Sequence, residues 1–183
     1  SYITRINYGA IISEIENNTG IARSLLSMAV TGSFITYGTG QIVSGFMGDK
    51  FSPKKLVSIG FIVTIIMNIL MPLCSSPFLM LGVWCVNGFA QSFMWPPIVR
   101  LMTALLSDED YKRATSKVSL GSMFGTIAVY LISPRLISFA GWRAVFLFSA
   151  SIGIIMLIIW RKLACDVEKE EKIVVREKSK NST

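Results

Sequence analysis

The chain contains no histidine, and its acidic residues are few: 11 Asp and Glu stand against 18 Lys and Arg in 183 residues. Most enzymes that transfer protons use histidine or a pair of carboxylates, and the sequence has neither a P-loop nor a nucleophile elbow. These absences speak against an enzyme. We expect no catalytic residue, no bound metal and no cofactor.

Cysteine is scarce as well. The three cysteines, an odd number, have neither CxxC spacing nor a histidine partner, which speaks against a zinc site and against a disulfide framework. We therefore expect Cys74, Cys85 and Cys165 to be ordinary packing residues.

Long hydrophobic segments are what the sequence has in abundance. It is 52% hydrophobic and 16% charged, whereas soluble domains are about 25% charged. A helix needs about 20 apolar residues to cross about 30 Å of hydrocarbon, and short connections favour sequential antiparallel helices. Five such segments and a more polar first one predict an all-α membrane protein, a six-transmembrane-helix bundle. The predicted segments are residues 2–17, 24–47, 55–74, 77–106, 114–139 and 142–160.

Positive charges collect at alternate connections between these segments. Lysine and arginine near the ends of membrane helices mark the cytoplasmic side, and the opposite connections contribute only Arg23 and Arg143. We therefore expect the N-terminus and the C-terminal tail to be cytoplasmic. The net charge of +7 is then a sign of topology and implies no nucleic-acid partner. The clustered cations are Lys50, Lys54, Lys55, Lys112, Arg113, Lys117, Arg161 and Lys162.

The composition changes abruptly after Trp160. Residues 161–183 alternate acidic and basic side chains, which is typical of a solvated cytoplasmic linker or tail. Val174 and Val175 permit a short helix there. Residues 1–160 are then the six-helix transmembrane domain, with its first helix truncated at the start. A charged tail after six crossings resembles a loop that joins two six-helix halves.

Small residues recur within the segments at spacings that let helices approach closely. We interpret them as packing contacts, with direct contact to a bound molecule as the less favoured alternative. Pro96 and Pro97 interrupt the fourth segment and are expected to kink it, because each removes an intrahelical hydrogen bond and clashes with the preceding turn. The glycines concerned are Gly38, Gly40, Gly45, Gly48, Gly121 and Gly125.

The connection between the second and third segments has a characteristic spacing. Residues 45–55 read GFMGDKFSPKK and resemble the loop of the major facilitator superfamily usually written G-x-L-x-D-R-x-G-R-[KR], with Ser52 and Pro53 in place of Gly and Arg. The resemblance implies a cytoplasmic latch that holds one alternating-access state. A positively charged loop with a capping aspartate is the simpler alternative. The implied latch residues are Gly45, Asp49, Lys50, Lys54 and Arg100.

A second stretch points to the same superfamily. Residues 141–146 read GWRAVF and are similar to the G-W-R-x-x-F sequence that opens the sixth helix in many members. Because both motifs stand at the expected places in a six-segment layout, the implied fold is the N-terminal half of a twelve-helix bundle.

A narrower resemblance is to the organophosphate:phosphate antiporters, a branch that includes glycerol-3-phosphate and hexose-phosphate carriers. Residues 2–8 read YITRINY, similar to the Y-x-x-R-x-N-[FY] motif of this branch, and Tyr37-Gly38 and Trp95-Pro96-Pro97 fit it too. In that family the arginine of helix one binds phosphate. The resemblance places this role on Arg5.

The residues support the same role without the family. An arginine within the membrane costs at least about 2.5–3.5 kcal/mol and by default faces a polar cavity. Helix rise places Tyr37 and Gln41 level with Arg5, and no carboxylate lies at that depth. The planar guanidinium can then bind a phosphate through two hydrogen bonds, the alternative being snorkelling or pairing with the other half. The predicted substrate-binding residues are Arg5, Tyr2, Asn7, Tyr37 and Gln41.

The sequence thus predicts a secondary active transporter that exchanges a small organic phosphate for inorganic phosphate by alternating access, in the inner membrane of a bacterium. Gln41 and Gly125 depart from the lysine and histidine of glycerol-3-phosphate carriers, which leaves the substrate open. A membrane sensor for a sugar phosphate, or a carrier of a different organic anion, is the alternative. The expected partners are a small anionic substrate, the lipid bilayer and a C-terminal six-helix half.

Overall fold

The computed structural model describes the backbone of residues 2–48 and 50–180, and side chains as far as Ala164. Within these residues the chain forms helices and no strand, which confirms the all-α prediction. A 3₁₀ turn, Met71–Leu73, continues the fourth helix. The α-helices of the described chain are α1 (Ile3–Ala10), α2 (Ile12–Thr19), α3 (Arg23–Gly48), α4 (Pro53–Leu70), α5 (Pro77–Gln91), α6 (Trp95–Leu105), α7 (Asp108–Ala140) and α8 (Trp142–Lys180).

These helices reproduce the six predicted segments. α1 and α2 together make the first segment, α3 the second, and α4 with its 3₁₀ turn the third. α5 and α6 make the fourth, and α7 and α8 are the fifth and sixth. The six-segment bundle is therefore confirmed, although two segments are each divided into two helices.

Four helical stretches of the described chain are long and apolar enough to cross a membrane, by length and composition. α3 has 26 residues but is not among them, so four of the five expected apolar segments meet this criterion. Serine, threonine, glycine and Gln41 alternate with its apolar residues. Such polar residues are tolerated in a membrane helix that faces a polar cavity or another helix. The four stretches are Pro53–Leu73, Pro77–Leu105, Asp108–Ala140 and Trp142–Ala164.

The first segment is two short helices. α1 stops at Ala10, because Ile11 leaves the helical region with φ −119° and ψ 12°. α2 ends on Gly20 with φ +70°, a conformation that favours glycine at a helix C-terminus. Gly9 lies in the last turn of α1, two residues before the break. The helical hydrogen-bond pattern is thus interrupted between α1 and α2.

The start of α4 explains why the loop motif departs from the superfamily pattern. The side chain of Ser52 accepts a hydrogen bond from the backbone N–H of Lys55 at 3.4 Å, and Pro53 is the first helical residue. Serine is a favoured N-cap, and proline lacks only an N–H that would be unpaired there. Ser52 and Pro53 therefore begin the helix where other members have Gly and Arg.

The fourth segment breaks as predicted. α5 ends at Gln91, residues 92–94 form a turn, and α6 begins at Trp95. Pro96 and Pro97 lie in the first turn of α6, where a missing N–H is tolerated. The two prolines can start a new helix, but they cannot continue the old one.

The junction between α7 and α8 accounts for the GWRAVF stretch. Gly141 has φ +75°, in the region that favours glycine. Arg143 donates from Nε to the carbonyl oxygen of Pro72 at 3.0 Å, and its guanidinium carbon lies 4.6 Å from the ring centroid of Trp142. The motif therefore turns the chain and ties the start of α8 to the end of α4.

An aromatic cluster forms the core at this end of the bundle. Trp84 lies 5.2 Å from Tyr8 and 5.8 Å from Phe146, measured between ring centroids, and Phe146 packs edge-on against Trp142. All four side chains are buried, and the Tyr8 hydroxyl donates to the carbonyl oxygen of Leu26 at 3.2 Å. The cluster joins α1, α3, α5 and α8.

Close glycine contacts bring α3 and α5 together. A Cβ added to Gly88 would overlap the carbonyl oxygen of Ser33, and one added to Gly40 would overlap the hydroxyl of Ser92. The packing interpretation is therefore confirmed for Gly40. It does not hold within this chain for three of the predicted glycines, since a Cβ there would meet no atom within 4 Å. These three are Gly38, Gly45 and Gly121.

The charged C-terminal region continues the sixth segment. The backbone of α8 runs without a break from Trp142 to Lys180, so residues 161–180 extend the membrane helix instead of starting a separate element. The division into a transmembrane domain and a cytoplasmic tail stays a prediction.

Candidate functional site

Arg5 points into a cage of aromatic rings. Its guanidinium carbon lies 4.4 Å from the ring centroid of Tyr37, 5.0 Å from that of Tyr2 and 5.8 Å from that of Phe34. Tyr2 precedes Arg5 by three residues and therefore lies close to it on the helix, while Tyr37 and Phe34 come from one face of α3. We call Tyr2, Phe34 and Tyr37 the aromatic cage.

The guanidinium is partly desolvated and lacks a hydrogen-bonding partner at one nitrogen. Arg5 is half-buried, and its Nε is a buried atom that donates to no described residue. Within the described chain no acidic group forms an ion pair with it. A cation over an aromatic face gains about 0.5–2 kcal/mol, less than a buried charge costs. The cage thus holds a cation whose donors can still bind an anion.

The structure brings together three of the five predicted substrate-binding residues, Arg5, Tyr2 and Tyr37. Phe34 was missed, although its spacing of three residues from Tyr37 places both rings on one side of a helix. Gln41 lies one further turn along α3, about 6 Å from Tyr37 by helix rise, and is half-buried. It shares the face of α3 that carries the cage.

The structure does not place Asn7 beside Arg5, as the predicted binding site required. Asn7 is fully buried and donates from Nδ2 to Oδ1 of Asn68 at 2.8 Å. Two residues along a helix correspond to a rotation of about 200°, so Asn7 and Arg5 point in nearly opposite directions. Asn7 therefore belongs to the packing between helices.

Asn7 is part of a buried amide cluster that sequence analysis did not identify. Asn68 also donates to the carbonyl oxygens of Thr4, at 3.2 Å, and of Thr64, at 2.9 Å. The cluster connects α1 with α4 and α5 in the interior of the bundle. The signal was available, since polar side chains inside apolar membrane segments are costly and need partners. Its members are Thr4, Asn7, Asn68, Asn87 and Gln91, all buried.

The other two amides of the cluster come from α5. Asn87 donates from Nδ2 to the carbonyl oxygen of Thr4 at 3.1 Å. Gln91 donates from Nε2 to the Thr4 hydroxyl at 3.3 Å and to Oδ1 of Asn87 at 3.5 Å. The backbone and side chain of Thr4 therefore receive donors from two helices.

The implied latch lies at the opposite end of α3 from the aromatic core, and Asp49 falls outside the described residues. Gly45, Lys50 and Arg100 are exposed, and Lys54 is half-buried. Nη1 of Arg100 would be 4.0 Å from a Cβ added to Gly48, so its charge lies beside the C-terminus of α3. A cation there is favoured by the helix dipole. The latch itself stays a prediction.

No group of three or more metal-binding side chains occurs in the described part of the chain.

Comparison with known families gives a match to the model described as Major Facilitator Superfamily over residues 1–182. The chain belongs to the major facilitator superfamily. It is an integral membrane protein, and the resemblance carried by the GFMGDKFSPKK and GWRAVF stretches is confirmed.

Relatives within the superfamily point to one branch. A "Probable hexose phosphate transport protein" of Chlamydia trachomatis is 30% identical over 155 residues, which cover 85% of this chain and 34% of that protein. The "Glycerol-3-phosphate transporter" of Bacillus subtilis is 29% identical, covering 85% of this chain and 36% of that protein. These names match the organophosphate:phosphate antiporter branch that residues 2–8 resemble.

A third relative is named as a sensor and not as a transporter. The "Membrane sensor protein UhpC" of Escherichia coli is 28% identical over 162 residues, covering 87% of this chain and 37% of that protein. The chain therefore spans about a third of the length of the curated relatives it matches. As a superfamily member, it corresponds to the six-helix half of the fold.

Proposed function

We propose that this chain is the N-terminal half of a secondary transporter that exchanges a small organic phosphate for inorganic phosphate, with Arg5 as a phosphate ligand. The observation that carries the proposal is the guanidinium of Arg5, caged by aromatic rings yet with a buried donor that is not hydrogen-bonded within the described chain. A phosphate anion supplies both the missing charge and the missing acceptor.

The cage and its surroundings give the anion further contacts. Tyr2 and Tyr37, whose rings lie against the guanidinium, each carry a hydroxyl group, and Gln41 adds an amide one turn away on α3. Arginine presents its donors in a fixed planar fork that matches two phosphate oxygens. We leave Asn7 out of the binding site, because its amide is engaged with Asn68.

Alternating access completes the proposal. Two six-helix halves rock about a site near the membrane midplane, and the latch residues, with Asp49 at their centre, hold the cytoplasmic ends together in one state. The N-terminus and the charged end of α8 then lie in the cytoplasm, in agreement with the distribution of lysine and arginine. We assign the protein to the plasma (inner) membrane of a bacterium, since the three relatives described above are bacterial.

A sensor for an organic phosphate is the second candidate, favoured by the similarity to the Escherichia coli sensor. Counterflow distinguishes the two. The complete protein is reconstituted in liposomes loaded with inorganic phosphate, and uptake of labelled glucose-6-phosphate or glycerol-3-phosphate is measured. A transporter takes up the label only when phosphate is inside. Binding of the labelled organic phosphate without uptake supports the sensor, provided that a known organic-phosphate transporter takes up the label in liposomes prepared in the same way.

A further inference from the structure

The helix that carries Arg5 is separated from α2 by a break at Ile11. A break in the helical hydrogen-bond pattern lets the two parts differ in direction and rotation. The direction of the Arg5 side chain therefore depends on the tertiary contacts that hold α1 in place.

The peptide unit between Thr4 and Arg5 is a point of attachment. Its carbonyl oxygen accepts hydrogen bonds from Nδ2 of Asn68, at 3.2 Å, and from Nδ2 of Asn87, at 3.1 Å. Asn68 belongs to α4 and Asn87 to α5. Both amides are fully buried, where an unpaired polar group would be costly. α4 and α5 thus both bind the peptide unit that directly precedes Arg5.

These two bonds fix both the depth and the rotation of α1. Successive helical residues are about 100° apart, so a Thr4 face held against α4 and α5 directs Arg5 to one side. On that side lies α3, with the Tyr37 ring 4.4 Å from the guanidinium carbon. If α1 rotated about its axis, the guanidinium would move away from Tyr37 and Phe34 on α3, whereas Tyr2 would rotate with it.

We propose that Asn68 and Asn87 are positioning residues for Arg5, acting through the Thr4 carbonyl. The proposal rests on the proposed function, in which Arg5 binds phosphate. It predicts that loss of either amide weakens anion binding and does not merely lower the stability of the bundle. Asn87 is the cleaner site to test. Asn68 also accepts from Asn7 at 2.8 Å and donates to the Thr64 carbonyl at 2.9 Å, whereas the one further bond of Asn87, from Gln91, is 3.5 Å long.

The test measures the affinity of the complete purified protein for inorganic phosphate, from the concentration dependence of its thermal stabilisation. Asn87→Leu is expected to weaken this affinity about tenfold, the loss that corresponds to one buried hydrogen bond to a group that positions a ligand. Asn87→Ser, which shortens the side chain, is also expected to weaken the affinity for inorganic phosphate. It replaces Asn87→Leu in the test if the leucine variant does not fold.

Tyr8→Phe is the matched control. Tyr8 lies on the same helix, its side chain is fully buried, and its hydroxyl donates to the carbonyl oxygen of Leu26. Tyr8→Phe removes this hydroxyl and leaves the amide hydrogen bonds to the Thr4 carbonyl in place. Its removal is expected to lower the melting temperature and leave the phosphate affinity unchanged. An equal loss of affinity in Tyr8→Phe would show that any weakening of α1 suffices, which would overturn a specific role for the amides.

A double-mutant cycle separates this proposal from the proposed function. If Asn87 acts through Arg5, then Asn87→Leu causes no further loss of phosphate affinity in an Arg5→Lys background. Additive losses, or wild-type affinity in Asn87→Leu while Arg5→Lys is impaired, would overturn the positioning role alone. Unchanged affinity in Arg5→Lys would overturn the proposed role of Arg5 and the positioning role with it.

Discussion

At the scale of single residues, Arg5 is a half-buried cation that forms no ion pair with the acidic groups among the described residues. Three aromatic rings surround its guanidinium, and Nε is buried with no hydrogen bond to a described residue. The rings recover only part of the lost hydration. The residue is therefore held in place but not neutralised, which is what binding and release of an anion require.

The ring of Tyr37 and its hydroxyl can be tested separately. Tyr37→Leu removes both and is expected to raise the apparent KM for inorganic phosphate in the complete carrier about tenfold, since a desolvated cation–π contact is worth up to about 2 kcal/mol. Tyr37→Phe keeps the ring, so its apparent KM is expected to lie between that of Tyr37→Leu and that of the wild type. Phosphate exchange in liposomes measures both values.

Tyr130→Leu is the control for this series, because it makes the same change on α7 at an exposed tyrosine. Its apparent KM should equal that of the wild type. If Tyr37→Phe and Tyr37→Leu were equally impaired, the ring would make no contribution beyond its hydroxyl, and the cage would have no role in holding Arg5.

At the scale of helices, close backbone contact makes α3 and α5 one packed pair. Gly88 lies against the carbonyl oxygen of Ser33, and Thr36 donates from its hydroxyl to the carbonyl oxygen of Cys85 at 2.7 Å. Small residues at such contacts are the usual basis of helix association in membranes, where burial of apolar surface gives little driving force. Packing against α5 therefore holds in place the helix that carries Phe34 and Tyr37 of the aromatic cage.

Gly88→Ala is therefore expected to destabilise the protein by about 1–3 kcal/mol, the usual cost of overpacking, because the new methyl group would meet backbone atoms. Gly82→Ala in the same helix is the control, since a Cβ there meets no atom within 4 Å. Melting temperatures in detergent measure both effects. Equal melting temperatures for the two variants would contradict the close contact between α3 and α5.

Much of the helix layout could be predicted from hydropathy and turn chemistry. Apolar runs and short connections predicted the six segments, of which the first is more polar than the others, and Pro96 and Pro97 predicted the break before α6. The break at Ile11 was not predicted, because Gly9, the nearest turn residue, is an isolated glycine in a helical pattern, which a helix tolerates. Segment length alone also could not show whether α3 crosses a membrane despite its polar residues. That depends on the helices packed beside it, which the sequence does not show.

The candidate site was predicted in part. Arg5 followed from its cost within the membrane, and Tyr37 from its depth. Asn7 was misplaced because depth alone was considered, whereas rotation about the helix axis puts it opposite Arg5 and against Asn68. Contacts such as Asn87 with Thr4 join residues far apart in sequence, and periodicity within one segment cannot predict them.

At the scale of the whole molecule, this chain spans about a third of the length of its curated relatives. Its described residues place one caged cation on α1 against α3, with the amide cluster behind it. A twelve-helix carrier would bring a second half to the exposed side of this site, and the exposed rings of Phe34 and Phe46 on α3 are then candidates for that contact.

The most direct test of the account is phosphate exchange by the complete carrier with lysine in place of Arg5. Liposomes loaded with inorganic phosphate are supplied with labelled phosphate, and initial rates are compared for the wild type, Arg5→Lys and the exposed control Arg135→Lys. Lysine keeps the charge but loses the planar fork, so we predict that Arg5→Lys is severely impaired while inserting normally and that Arg135→Lys matches the wild type. Wild-type exchange by both Arg5→Lys and Arg5→Ala would contradict the account.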